Sequence, residues 1–297
     1  MQSFSRGWSF LKQAWSMAFK DKDLLKPSIY ALIVGMVVSV IGIIPIIIAA
    51  LIFGDAANII VAILGAILLF VQFTVTYVFS GMTIYLIYGY LSEGDGRMDK
   101  AWAIVRRDFF DILTLAAVST VVNLLRNAAQ KSKNRGVVGN LARSATGLLE
   151  VLWTQAAYLI LPAMIIDDLN LKGGAQRVWK ITKENLLLVG ISTVGVRAVS
   201  GLISFVFGAI GFIIAIAIGG GAAFLSGGSS AISIIGIAIA ALVFFTFVMV
   251  ASVFSSYTST AYHACLYIWA REVEKAVAEG REMSQVAAPA PLAAALA

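Results

Sequence analysis

From Ile59 to Leu91 the chain carries no charged residue, and from Ala198 to Ala222 it again carries none. At about 1.5 Å of rise per residue the first run makes about 50 Å of helix, against a bilayer hydrocarbon core of about 30 Å. Backbone polar groups in lipid must be satisfied within the segment, so runs of this kind fold as transmembrane helices. The balance of 60% hydrophobic to 13% charged residues points the same way, since no water-filled fold covers so much apolar surface. The expected class is therefore an all-α polytopic membrane helix bundle. A run as long as Ile59 to Leu91 must tilt, protrude or break. Ser80-Gly81 is its expected weak point, and Tyr85, Tyr88 and Tyr90 mark the interface at its end.

A plan repeats along the chain. An amphipathic, tryptophan-bearing stretch feeds a long apolar one, with the repeat centred on Trp15, Trp102 and Trp179. Six residues after each tryptophan stands Asp21, Asp108 or Asn185, and ten after stands Leu25, Ile112 or Val189. In the first copy Phe4, Trp8, Leu11, Trp15 and Ala18 fall at helical spacing, opposite Lys12, Ser16 and Lys20. Indole rings favour the membrane interface and lysines reach lipid phosphates, so Trp8, Trp15, Lys12, Lys20, Trp102 and Trp179 are the membrane-interface candidates. The same pattern suits a helix packed on its own protein's face. Pro27 is expected to end the first helix.

These signals divide residues 1–282 into one membrane domain. It comprises an N-terminal amphipathic helix (1–26), hairpin one (28–91), hairpin two (98–166) and hairpin three (173–270), followed by an Ala- and Pro-rich tail (283–297). Pro45 is expected to interrupt the first span. The connections at 54–58 and 219–230 hold no Lys or Arg and are expected to face outward, which leaves both termini and the three tryptophan segments cytoplasmic. Hairpin two fits less well, because Arg126, Lys131, Lys133, Arg135 and Arg143 follow Phe109 to Leu125 without an acid. A single span at Gly147 to Ile166 would instead move the Trp179 segment and the C-terminal charges outside, so six spans is the preferred threading. The net charge of +6 lies beside apolar segments, where it serves topology and anionic headgroups on the cytoplasmic side rather than nucleic acid.

Little in the sequence carries chemistry. Cys265 is the one cysteine and His263 the one histidine, two residues apart and so on nearly opposite helix faces, which excludes a local dyad, a disulfide and the usual zinc spacings. Asp167-Asp168 reads as a solvated turn and cap before the next helix, or as a cation site. Glu150 and Arg197 are the ionisable residues nearest apolar stretches. Arg197 is expected to mark an interface. No cofactor or metal is expected. Gly201, Ser204, Gly208, Gly211 and Ala215 form a small-residue stripe that admits another helix closely, within the chain or from another copy. Ser252, Ser255, Ser259 and Thr260 belong to a hydroxyl-rich helix end that lines a wet cavity or bonds back to its own carbonyls.

The landmarks Trp8, Trp15, Asp21-Lys22-Asp23-Leu24-Leu25 and Pro27, the run Trp153 to Tyr158 with Leu161-Pro162, and Ala264-Cys265-Leu266-Tyr267 before Trp269-Ala270 resemble those of an uncharacterised group of prokaryotic multipass membrane proteins. They are more distantly similar to the membrane region of some glycerophosphodiester phosphodiesterases. The resemblance implies a multipass bundle in a bacterial or archaeal plasma membrane and lends no activity. A phosphodiesterase needs clustered His, Asp and Glu, and one histidine does not supply them. The expected role is a non-catalytic membrane-organising or assembly component that self-associates or meets another membrane protein. The alternative is a small channel or permease for a solute or lipid. The two part on whether Ser252, Ser255, Ser259 and Thr260 face a cavity.

Overall fold

The computed structural model describes residues 2–53, 57–131, 137–184, 186–225, 230–282 and 285–296. In chain order they form α1 (Gln2–Lys20), a single 3-10 turn (Lys22–Leu24), α2 (Lys26–Phe53), α3 (Ala57–Glu93), α4 (Met98–Arg107) and α5 (Phe109–Lys131). These are followed by α6 (Val137–Asp167), α7 (Leu171–Glu184), α8 (Leu186–Leu225), α9 (Ser230–Ala278) and α10 (Ala290–Leu296). Six helices, α2, α3, α5, α6, α8 and α9, are long and apolar enough to cross a membrane, and the chain is an all-α multipass membrane protein. They pack as hairpins, α2 on α3, α5 on α6 and α8 on α9, with α3 also packed against α5, α6 and α9.

The core lies at one end of this bundle. Each short helix α1, α4 and α7 precedes a hairpin and packs at the level where the long helices enter and leave. Phe10, Ala14 and Met17 of α1, Ala101 and Val105 of α4, and Val178 and Ile181 of α7 are buried there with Met82 to Ile87 of α3, Ile160 to Ile165 of α6 and Tyr257 to Trp269 of α9. The opposite halves of the spans stay exposed, as at Val40, Ile44, Leu51, Ile63, Leu152, Phe205, Ile213, Ile234 and Leu242. Such apolar exposure suits hydrocarbon, so the bundle has a protein-packed base and lipid-facing arms.

Asp21 explains how the first copy of the repeat enters the membrane. It caps the 3-10 turn by accepting from the Asp23 N–H at 3.0 Å, and its other oxygen accepts from the Gly96 N–H at 2.7 Å. One carboxylate thereby ends α1 and ties it to the α3–α4 connection. A Cβ at Gly96 would meet Asp21 Oδ2 and Leu24 Cδ1 at 2.8 Å, so the close approach requires glycine. Pro27 does not end α1 as expected. It sits in the first turn of α2, where a missing N–H costs no helical bond.

α3 likewise runs unbroken through Ser80-Gly81. A Cβ on Gly81 would lie 3.1 Å from Ile165 Cδ1, so this glycine admits a neighbouring helix rather than breaking its own. The excess length of α3 protrudes into the base. Pro45 and Pro162 also lie inside continuous helices. The Ala- and Pro-rich tail folds back on its own chain: α10 packs against α1 and α9, Leu292 is buried, and Trp269 Nε1 donates to the Val286 carbonyl at 3.4 Å. Lys133, Arg135 and Asn185 lie outside the described residues, as do parts of the connections at 54–58 and 219–230.

Candidate functional site: a hydroxyl-lined cavity in the membrane bundle

A cavity of about 1000 Å³ opens between hairpins one and three. Ser252, Ser255 and Ser259 of α9 stand at helical spacings of three and four, which gathers their hydroxyls on one face, continued by Ser256 and His263. α8 faces them with Ser200 and Ser204, α2 with Ser28 and Ser39, α3 with Gln72 and Thr76, and α6 with Tyr158. No Asp, Glu, Lys or Arg lines it among the described residues. Thr260, grouped with these serines by sequence, is buried away from the cavity.

Two features prepare this space for a polar guest. The Ser200 and Ser204 hydroxyls are buried without a hydrogen-bond partner, and Ser200 as a whole is only 6% exposed. A buried hydroxyl without a partner costs about 1–3 kcal/mol, which a ligand able to hydrogen-bond would recover. The walls are also held in place. The Gln72 amide donates to the Gly35 carbonyl at 2.8 Å and to Ser39 Oγ at 2.6 Å, linking α3 to α2. The His263 ring bonds through Nδ1 to the Ser259 carbonyl at 2.7 Å and stacks on Tyr158, with centroids 4.7 Å apart and planes within 16°.

The cavity is open near the middle of the spans. Met36, Val40 and Val248 line it and are exposed, and the first two lie near the middle of α2. α2 packs on α3 and α9 but not along α8, so the opening is the α2–α8 gap. The small-residue stripe contributes to it. Gly201, Ser204 and Gly208 line the cavity, and a Cβ on Gly201 or Gly208 would meet nothing within 4 Å. Gly211 is different: a Cβ there would lie 2.6 Å from Phe247 Cβ, so this glycine seats α8 on α9 within the chain. Ala215 is half-buried one turn further along α8.

The other singled-out residues lie at the base or the far end. Trp15 Nε1 donates to Thr258 Oγ1 at 3.0 Å and its ring stacks on Phe254 at 4.6 Å, so this indole has protein partners. Trp8, Trp102 and Trp179 are 50%, 38% and 73% exposed, and Lys12 and Lys20 are exposed beside them. Arg106 lies 5.8 Å from the Trp102 ring centroid. Asp167 accepts from the Tyr267 hydroxyl at 2.5 Å and pairs with Arg271 at 3.2 Å, while Asp168 pairs with Arg107 at 3.0 Å. Both carboxylates thus serve arginines. Arg107 also bonds Asp108 at 2.6 and 3.0 Å, and that hydrogen bond, opposed by partial burial, holds its pKa above the usual guanidinium value. Glu150 is paired with Arg126, and the Arg197 side chain lies outside the described residues.

Ser28, Ser39, Gln72, Thr76, Tyr158 and Ser200 are site residues that sequence reasoning passed over. Gln72 had a signal, being an amide within an otherwise apolar span. Tyr158 had none beyond its place in an aromatic run. No family model matches the chain and no curated protein matches it, so the functional reading rests on the geometry of the cavity.

Proposed function

We propose that this protein is a non-catalytic lipid permease of the plasma membrane, which admits a lipid with an uncharged, hydroxyl-bearing headgroup sideways between α2 and α8. The observation that carries this reading is the cavity itself, rich in Ser hydroxyls, without a charged residue among its described lining and open near the middle of the spans. Neutral hydroxyls exchange hydrogen bonds with a sugar or glycerol headgroup, whereas an anionic headgroup would meet no cation among the described lining residues. The apolar rim at Met36, Val40 and Val248 suits the acyl chains. The assembly role expected from the sequence would use the small-residue stripe as a seam between copies, whereas Gly201, Ser204 and Gly208 line the cavity and Gly211 faces Phe247.

The test uses the purified chain in nanodiscs with a photoactivatable monoglucosyl diacylglycerol. Crosslinks are expected on peptides containing Met36, Val40 or Ser252, competed by unlabelled glucosyl lipid and not by phosphatidylglycerol. Labelling that ignores headgroup, or falls only on outward residues such as Ile44 and Ile213, would overturn the reading.

The same proposal places the packed base, both termini and the anionic-headgroup contacts of Lys12 and Lys20 on the cytoplasmic side, because basic residues concentrate there. In intact cells, with Cys265→Ser as background, a single cysteine at position 226 is expected to react with an impermeant maleimide and one at Ser92 is not. The reverse pattern would invert the threading.

A further inference from the structure

A second cavity, of about 230 Å³, lies between α3, α5 and α6. Thr76 and Tyr158 line both it and the larger one, so the two spaces share a wall made of two side chains. Resting on the lipid-permease reading, we infer that the smaller cavity is the second station of the same path, with Tyr158 stacked on His263 as the gate between them.

The depths fit a path across the membrane. Tyr158 stands about 13 Å and Glu150, at the far end of the smaller cavity, about 25 Å along α6 from Asp167 at about 1.5 Å per residue. The larger cavity reaches from Ser28 beside the base to Val40 at mid-span. Joined, the two carry polar groups from the base to the end where Glu150 pairs with Arg126. The smaller space has the same chemistry as the larger for most of its length. Ser119 Oγ is bonded by the Tyr77 hydroxyl at 2.7 Å and by Trp153 Nε1 at 2.8 Å, which sets hydroxyl and ring edges along the wall. A headgroup moving between the stations would trade one set of neutral hydrogen-bonding partners for another, and that keeps it solvated in the membrane interior.

The wall is built to move. Tyr158 is held across the boundary by ring stacking on His263, a contact worth about 0.5–1.5 kcal/mol for aromatic pairs, and is only half-buried. Thr76 is exposed although it lies in the middle of α3, since it fronts the two cavities, and its hydroxyl bonds only to its own helix at the Gln72 carbonyl, 2.9 Å away. Neither side chain anchors another helix by a hydrogen bond among those described.

The full chain in proteoliposomes, with a glucosyl diacylglycerol bearing a fluorophore on its acyl chain, tests the gate through bleaching by an impermeant reductant. Tyr158→Ala, which removes the wall, is expected to raise the rate of transfer between leaflets on the order of tenfold. Thr76→Phe, which thickens it, is expected to lower the rate by a similar factor, each rate being normalised to that variant's own groove labelling. If Tyr158→Ala does not fold, Thr76→Phe decides alone. Unchanged rates with groove labelling intact overturn the gate and leave the permease reading standing. Absent groove labelling in the wild type removes both.

Discussion

Gly211→Leu lowers the thermal stability of the detergent-solubilised protein, and Gly208→Leu, one turn earlier on α8, leaves stability near wild type while abolishing lipid labelling. The contrast follows from what each missing side chain faces. At Gly211 even a Cβ would lie 2.6 Å from Phe247 Cβ, so a leucine must push α8 off α9, and overpacking of this kind costs about 1–3 kcal/mol. Lipid supplies no hydrophobic drive to hold the separated helices together. At Gly208 nothing lies within 4 Å, and the new side chain extends into the cavity where it displaces the guest. Melting measured beside photolabelling separates the two, with labelling of Gly208→Leu reduced at least about tenfold, equivalent to about 1.4 kcal/mol of binding. Equal loss of stability in both variants would mean that Gly208 faces a packed helix. Full labelling in Gly208→Leu would mean that the lipid sits elsewhere.

The six helices were readable because hydropathy is a local property. Each span announces itself over a window of its own residues, and the tryptophan-centred repeat announces α1, α4 and α7 in the same way. Termini and interruptions were less readable, since they depend on residues far along the chain. Asp21 ties the end of α1 to Gly96, and Gly81 of α3 receives Ile165 of α6, pairings that no window around Asp21 or Gly81 contains. Pro27 misled for a related reason: a proline stops a helix in its interior and starts one in its first turn, and the register of α2 decides between them. The tail was set apart by composition alone, yet Leu292 is buried in the core and α10 packs on α1 and α9.

In the candidate site, the serines of α9 were visible because their spacing repeats the helix turn, while Thr260, named with them, is buried outside the cavity lining. The opposing wall was not visible. Which faces of α2, α3, α6 and α8 look toward α9 is a matter of bundle packing, and Ser39, Tyr158 and Ser204 each resemble an ordinary packing residue when read alone. The stripe on α8 shows the limit most directly. Gly201, Gly208 and Gly211 share one periodicity, and the first two front a cavity while the third receives a phenylalanine.

Asp167→Ala destabilises the base by about 3 kcal/mol, near the lower end of what removing one partner from a buried ion pair costs, because Asp167 is 16% exposed and its arginines more so. Its carboxylate accepts from the Tyr267 hydroxyl at 2.5 Å and faces Arg271 at 3.2 Å and Arg177 at 3.7 Å, which ties α6 to α7 and α9. Without it Arg177 keeps Glu274 at 2.6 Å, but Glu274 is shared with Lys180 at 2.7 Å, and Arg271 loses the carboxylate it pairs with. The buried Tyr267 hydroxyl loses its acceptor as well. Asp168 is the control. It is 66% exposed, pairs with Arg107 alone and has φ of 55°, a conformation that asparagine tolerates, so Asp168→Asn shifts stability by no more than about 1 kcal/mol. Thermal unfolding in detergent reads both, and limited proteolysis at the α6–α7 connection reads the local consequence, with faster cleavage in Asp167→Ala only. Equal, small effects from the two variants would mean that the base is held by its apolar core alone and that the carboxylate network is surface decoration.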